Sequence, residues 1–136
     1  MRRHLFTFIL LTSLAAFSIC NGTEKTPKPG SYQIELYKKM IEGKSVAVVA
    51  NQTSMIGQTH LVDKLLSSGI NVRVIFSPEH GFREMADAGE KVGNGKDPST
   101  GIPLISLYGS HLKPTAVDLE GIEVVIFDIQ DVGARF

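Results

Sequence analysis

The sequence lacks several features that would assign a protein to a class at once. One cysteine and no tryptophan among 136 residues exclude an internal disulfide framework and an all-cysteine zinc site. Its 14 basic residues balance 14 acidic ones, and without a basic stripe it does not resemble a nucleic-acid-binding protein. No repeat or sustained heptad pattern is present. A hydrophobic content of 43% is instead typical of a globular domain.

The first residues predict export. Arg2 and Arg3 form a basic start, and the run that follows over residues 5–19 is mostly apolar. This run is shorter than the roughly 20 apolar residues that a membrane-spanning helix needs. We therefore predict a secretory signal peptide over residues 1–20 and a mature protein outside the cytoplasm, either periplasmic or secreted.

Cys20 stands where a bacterial lipoprotein carries its acylated cysteine. The preceding residue is Ile19, whereas a lipoprotein signal prefers a small residue there, so a lipid anchor and an incidental cysteine both remain open. An anchor at Cys20 would be the only contact with a membrane. Residues 21–31, which include Pro27, Pro29 and Gly30, predict a flexible tether.

Helical and strand patterns alternate in the rest of the chain. Apolar spacing predicts helices over residues 32–41 and 61–68, and Pro114 suggests a third over 114–119. Runs rich in β-branched residues predict four strands, over residues 45–50, 71–76, 103–108 and 123–129. We therefore expect residues 32–136 to form an α/β domain of Rossmann-like layout, with three layers around a mostly parallel sheet. Because the chain stops just past the fourth strand, we expect it to be the N-terminal part of a longer protein.

Polar clusters follow the strands at the points where their apolar runs end. In parallel α/β sheets, ligands bind beyond the carboxyl ends of the strands, so these side chains are expected to share one site. The clusters are Asn51 with Gln52, Glu79 with His80, Tyr108 with Ser110, and Asp128 with Gln130 and Asp131.

The strongest candidate for a catalytic site is the cluster of Glu79 and His80, which stands between Pro78 and Gly81. A carboxyl group in a partly dry cleft can have a raised pKa and act as a general acid, as glycoside hydrolysis requires. The alternative is a solvent-exposed glutamate beside a histidine that binds a loop carbonyl.

Asp128 and Asp131 are surrounded by apolar residues, so their carboxylates must be hydrogen-bonded or paired if buried. They could supply a second carboxylate or accept a sugar hydroxyl, or they could hold adjacent loops. Arg135 could pair with either aspartate or bind an anionic group of a substrate.

We expect no metal and no other cofactor. Glu79, His80, Asp87 and Asp128 could be imagined as ligands, but their spacing matches no metal-binding signature. The glycine-rich dinucleotide fingerprint is also absent after the first strand, where Asn51 stands.

Six short segments occur in a characteristic order: residues 51–53 (NQT), 76–83 (FSPEHGFR), 87–89 (DAG), 97–103 (DPSTGIP), 106–109 (SLYG) and 127–136 (FDIQDVGARF). Together they resemble the N-terminal region of the NamZ-type exo-β-N-acetylmuramidases, a bacterial family long known only as a domain of unknown function. The resemblance covers roughly residues 44–136. One position departs from the family, because Glu84 stands where a glycine usually follows the arginine.

The resemblance implies a glycosidase that releases terminal β-linked N-acetylmuramic acid from the non-reducing end of peptidoglycan fragments during cell-wall recycling. It also implies a second domain, with the active site in the cleft between the two, and a lone N-terminal domain would then be inactive. Glu79 would be the catalytic acid, and His80, Asp128 and Asp131 would lie in the cleft. Arg83 and Arg135 are candidates to bind the lactyl carboxylate of the substrate.

The second catalytic group stays open. It could be Asp128 or Asp131, the substrate's own acetamido group, or a residue beyond Phe136. Two other functions also remain: a non-catalytic peptidoglycan-binding module that uses the same polar residues, and a different secreted hydrolase such as a metal-dependent esterase.

Overall fold

The structure, a computed structural model, describes residues 27–78, 81–83 and 94–129. Its helices are α1 (Ile34–Ile41) and α2 (Leu61–Ser67). Its strands are β1 (Ser45–Ala50), β2 (Met55–Ile56), β3 (Thr59–His60), β4 (Asn71–Ser77), β5 (Gly95–Lys96), β6 (Pro103–Ser106) and β7 (Val124–Asp128). The predicted signal peptide lies outside the described residues.

Five of the strands form one sheet in the order β5-β6-β4-β1-β7. β1 pairs in parallel with both β4 and β7, β4 pairs in parallel with β6, and only β5 is antiparallel. The four predicted strands are therefore all present and mutually parallel, which confirms the mostly parallel α/β sheet. β1 lies between β4 and β7 and is buried on both faces, which explains its continuous apolar sequence.

Both helices cover one face of the sheet. Ile34 and Ile41 of α1 and Leu61 and Leu65 of α2 pack with the β1 side chains of that face, such as Val48. Burying a leucine of this kind stabilises the fold by about 1.5–3 kcal/mol. In the described part of the chain no helix is long and apolar enough to cross a membrane.

The opposite face is covered by turns. Val49 and Phe76 point to this face and pack with Leu119 and Ile122. The predicted helix over residues 114–119 is wrong, because this stretch forms consecutive turns.

Only one helical turn forms in this stretch. The Asp118 carboxylate accepts hydrogen bonds from the backbone N–H and the hydroxyl of Thr115, both at 2.7 Å, as at the start of a helix, and the Leu119 N–H donates to the Thr115 carbonyl at 3.2 Å. Gly121 then takes a positive φ of 71° and reverses the chain before a second helical turn can form.

Other boundaries differ by a few residues. A 3-10 turn over Gly30–Gln33 precedes α1, so ordered structure begins inside the predicted tether. The third predicted strand ends at Ser106 instead of residue 108. The antiparallel pair of β2 and β3 and the short β5 were not predicted, because strands of 2 residues carry no readable alternation.

Candidate active site

The carboxyl ends of three neighbouring strands meet at one edge of the sheet. Asn51 follows β1, Pro78 follows β4, and Asp128 ends β7, directly opposite Ala50 of β1. We call this edge the rim and define it by Asn51, Ser54, Pro78, Gly81 and Asp128. The prediction that the Asn51 and Asp128 clusters share one edge is confirmed for these two residues by the parallel pairing.

Asn51 shapes the first turn of the rim. Its side-chain Oδ1 accepts hydrogen bonds from the backbone N–H of Thr53 at 2.9 Å and from the Thr53 hydroxyl at 2.7 Å. Its backbone N–H donates to Ser54 Oγ at 3.1 Å, and that hydroxyl donates to the backbone carbonyl of Asp128 at 2.5 Å. Ser54 therefore joins the ends of β1 and β7.

His60 supports this turn from the helix-covered face. It is buried, its Nε2 lies 2.9 Å from the backbone carbonyl of Asn51, and its Nδ1 accepts the Val62 N–H at the start of α2. These partners place the hydrogen on Nε2. Burial lowers the pKa of His60, so the ring is neutral and joins α2 to the rim.

The burial of the Asp128 carboxyl group is only partly offset by its neighbours. Burial raises the pKa of its carboxyl group, against smaller opposing effects of His60 and Ser54. It borders two open cavities, of about 380 Å³ beside Tyr37 and Phe127 and about 300 Å³ beside Tyr32. Burial and the Asp128 charge also raise the pKa of Tyr37. A carboxyl group of this kind can accept a sugar hydroxyl or take part in proton transfer.

A backbone hydrogen bond lies just after β4. The N–H of Gly81 donates to the carbonyl of Pro78 at 3.2 Å, and Gly81 has a positive φ of 85° that favours glycine. Glu79 and His80 are the two residues that this hydrogen bond spans in the sequence. Both lie outside the described residues, so their catalytic role stays a prediction.

Arg83 is held between two carboxylates. It donates to Asp63 at 2.6 and 2.8 Å and to Asp97 at 2.7 and 2.9 Å. Its guanidinium also lies 5.0 Å from the ring centre of Phe82. We call Asp63, Arg83 and Asp97 the arginine clamp. Its contacts neutralise the cation internally, and the predicted contact of Arg83 with a substrate carboxylate stays a prediction.

The clamp sets the charges of its members. The hydrogen bonds from Arg83 lower the pKa of Asp63, and those from both aspartates raise the pKa of Arg83. Asp97 is fully buried, and burial alone raises its pKa, but hydrogen bonds from Arg83 and Thr100 outweigh burial and hold that pKa below its usual value. All three groups are therefore charged at neutral pH.

The remaining predicted site residues are less defined. Gln52 lies in the Asn51 turn, and its Oε1 is buried without a hydrogen-bond partner among the described residues. Gln130, Asp131 and Arg135 lie outside the described residues, as do Glu84 and Asp87. Within the described ranges, no three histidine, cysteine, aspartate or glutamate residues cluster as metal ligands would.

Four residues of this region were not predicted: Ser54, His60, Asp63 and Asp97. Asp97 had a local signal, because the Thr100 hydroxyl donates to its carboxylate at 2.6 Å across an Asp-x-x-Thr turn. His60 also acts locally, on Asn51 and on Val62 at the start of α2. Ser54 and Asp63 act over long sequence separations, 74 residues to Asp128 and 20 to Arg83, and no local pattern could have revealed them.

Comparisons with known proteins agree on one family. Residues 46–136 match the family model described as "Exo-beta-N-acetylmuramidase NamZ, N-terminal". The chain is 38% identical over 153 aligned residues to the peptidoglycan beta-N-acetylmuramidase NamZ of Bacillus subtilis (strain 168). The alignment covers 100% of this chain and 36% of that relative, so the chain spans about a third of the relative's length.

Solved structures of two DUF1343-family proteins from Bacteroides fragilis NCTC 9343 share the fold. One is 41% identical and superposes with a TM-score of 0.63 over 79% of this chain and 26% of its own. The other is 37% identical, with a TM-score of 0.63 over 74% of this chain and 25% of its own.

Proposed function

The chain belongs to the NamZ family of exo-β-N-acetylmuramidases, whose N-terminal region it matches, and we propose that it supplies half of a glycosidase active site. The intact protein would release terminal β-linked N-acetylmuramic acid from the non-reducing end of peptidoglycan fragments. The B. subtilis relative is named for action on peptidoglycan, which supports the substrate class.

The observation that carries this proposal is the parallel order β4-β1-β7. It brings Pro78, which directly precedes Glu79 in the sequence, to the same edge as Asn51 and Asp128. The ends of β4 and β7 are two strand spacings apart, about 10 Å. Side chains that reach inward from such ends can bring two carboxyl groups to the separation of roughly 5–9.5 Å that glycosidases use.

In this mechanism Glu79 is the general acid. It protonates the glycosidic oxygen while an oxocarbenium-like transition state forms, and His80 lies beside it in the sequence. Asp128 accepts a sugar hydroxyl or acts as the second carboxylate, and its raised pKa fits a group that is partly withdrawn from water. The amides of Asn51 and Gln52 hydrogen-bond the sugar.

We further propose that Gln130, Asp131 and Arg135 extend this site, with Arg135 as the better candidate for the lactyl carboxylate. Arg83 is the weaker candidate, because it already makes four hydrogen bonds to carboxylates. The protein would act outside the cytoplasm, exported by the segment over residues 1–20. Labelling with palmitate in cells, in wild type and in Cys20→Ala, decides whether Cys20 carries a lipid.

The test is the activity of Glu79→Gln in the intact protein, with whatever chain follows Phe136. We expect wild type to release N-acetylmuramic acid from muropeptides, and Glu79→Gln to lose at least about a hundredfold in kcat, the range general acids contribute. Glu120→Gln is the matched control, because Glu120 lines a cavity near the starts of β1 and β6. Wild-type turnover in Glu79→Gln would remove Glu79 from this role.

A further inference from the structure

We propose that the arginine clamp is a positioning device for the catalytic acid, with Asp63 and Asp97 fixing the segment that carries Glu79 and His80. This inference rests on the proposed function. It assigns a role in the reaction to residues that do not face the cleft between strand ends.

Arg83 lies four residues after Glu79 in the sequence. The residues on either side of Glu79 and His80 are held in place. Pro78 continues from β4, whose Ser77 is fully buried, and Gly81 is hydrogen-bonded back to Pro78. The next fixed points after Gly81 are Phe82 and Arg83. Only His80 and Gly81 stand between Phe82 and Glu79 in the sequence, so little chain separates these two residues from the proposed acid.

Three separate elements of the fold hold Phe82 and Arg83. Phe82 is buried and its ring contacts the edge of His60, with ring centres 4.5 Å apart. Asp63 approaches Arg83 from α2, and Asp97 approaches it from the turn after β5. Because Asp97 is itself fixed by Thr100 and by a backbone bond to Ile102, the clamp has no loose member.

Each aspartate of the clamp binds Arg83 at two points. Asp63 binds two nitrogens of Arg83, and Asp97 binds Nε and one terminal nitrogen. Such two-point contacts fix the orientation of the guanidinium plane as well as its position. A side chain oriented so strictly suits a reaction in which a displacement of about 1 Å can cost about a hundredfold in rate.

A variant that loosens the clamp without emptying the core tests this role. Asp63→Asn is suitable, because the Asp63 side chain is 35% exposed and the buried Asp97 contact remains. Arg83→Lys is the second variant, since lysine keeps the charge but cannot form the forked contacts. Arg73→Lys is the matched control, because Arg73 is exposed on β4.

The readout is the dependence on the leaving group, measured with the intact protein. A dinitrophenyl β-N-acetylmuramide departs without protonation, whereas a natural sugar leaving group needs the acid. We expect Asp63→Asn and Arg83→Lys to lower kcat at least about tenfold on muropeptides, with KM changed less than about twofold, and to leave the dinitrophenyl substrate nearly unaffected. Arg73→Lys should match wild type on both.

Equal losses on both substrates, or no loss on either, would overturn the clamp's role in positioning. The proposed function fails separately. If Glu79→Gln keeps wild-type turnover on muropeptides, Glu79 is not the acid whatever the clamp variants do. If Glu79→Gln shows the leaving-group pattern and the clamp variants do not, only the positioning role is rejected.

Discussion

Two aspartates on opposite flanks of the sheet differ in what compensates their burial. Asp97, beside β6, is fully buried and carries a lowered pKa because Arg83 and Thr100 donate to it. Asp128, at the end of β7, is only partly buried, yet burial raises its pKa because no cation pairs with it among the described residues. Hydrogen-bond donors, more than depth, therefore decide the charge of a buried carboxyl group.

The two flanks of the sheet therefore differ in whether their charged groups already have partners of opposite charge. On the β6 flank, every member of the clamp has a strong partner of opposite charge, and Arg83 uses four of its five N–H donors on the two aspartates. On the β7 flank, Asp128 borders two open cavities and keeps a carboxyl group that can still exchange partners. The three predictions that follow test this contrast.

The largest effect is expected for Asp97→Ala. Removing the buried partner leaves the Arg83 cation without half of its hydrogen bonds and opens a polar cavity, so the free energy of unfolding should fall by about 3–5 kcal/mol at pH 7. Urea denaturation of the purified protein measures it. A loss below about 1 kcal/mol would show that the clamp contributes no more than a surface ion pair.

His60 should produce an intermediate effect that depends on pH. Its pKa is lowered in the folded state, so the unfolded chain binds the proton more readily. Its contribution is complete above the unfolded pKa of about 6.5 and falls as the pH drops from there towards the folded pKa, by at most about 1.4 kcal/mol per pH unit.

Comparing the stability of wild type with that of His60→Gln between pH 7.5 and pH 5 tests this. The variant should lack the part of the slope that His60 supplies. Parallel curves for wild type and His60→Gln would contradict a neutral, buried His60.

The smallest effect is expected for Asp128→Asn. Because the carboxyl group has a raised pKa, its charged form slightly destabilises the fold at neutral pH, and an amide should raise the free energy of unfolding by less than about 1 kcal/mol. The gain should disappear as the pH falls through the folded pKa towards about 3.8, where wild type is protonated too. A clear loss of stability at pH 7 would instead mean that Asp128 has a strong partner.

Much of the fold was readable from local patterns. The predicted first strand coincides with β1, and the periodic leucines of α2 are buried as expected, because long apolar runs and 3.6-residue spacing reflect burial directly. Where the pattern was weak the prediction failed: a proline and a few apolar residues suggested a helix at 114–119, but the positive φ of Gly121 ends the stretch after one helical turn.

The candidate site was only partly readable. Asn51 and Asp128 were found because each directly follows an apolar run, and parallel strands bring such positions together. Asp63 and its ion pair with Arg83 were missed, because this contact joins residues 20 positions apart. Such contacts depend on how α2 packs against the sheet.

By itself, the sequence determined which segments become the four longer strands, that these four run in parallel, and which family the motifs resemble, because backbone preference and burial act over a few neighbouring residues. Only the tertiary structure decided which charges are neutralised and which stay available. An ionised group responds to every donor and cation within a few ångströms, and for Arg83 and Asp128 those neighbours come from distant parts of the chain.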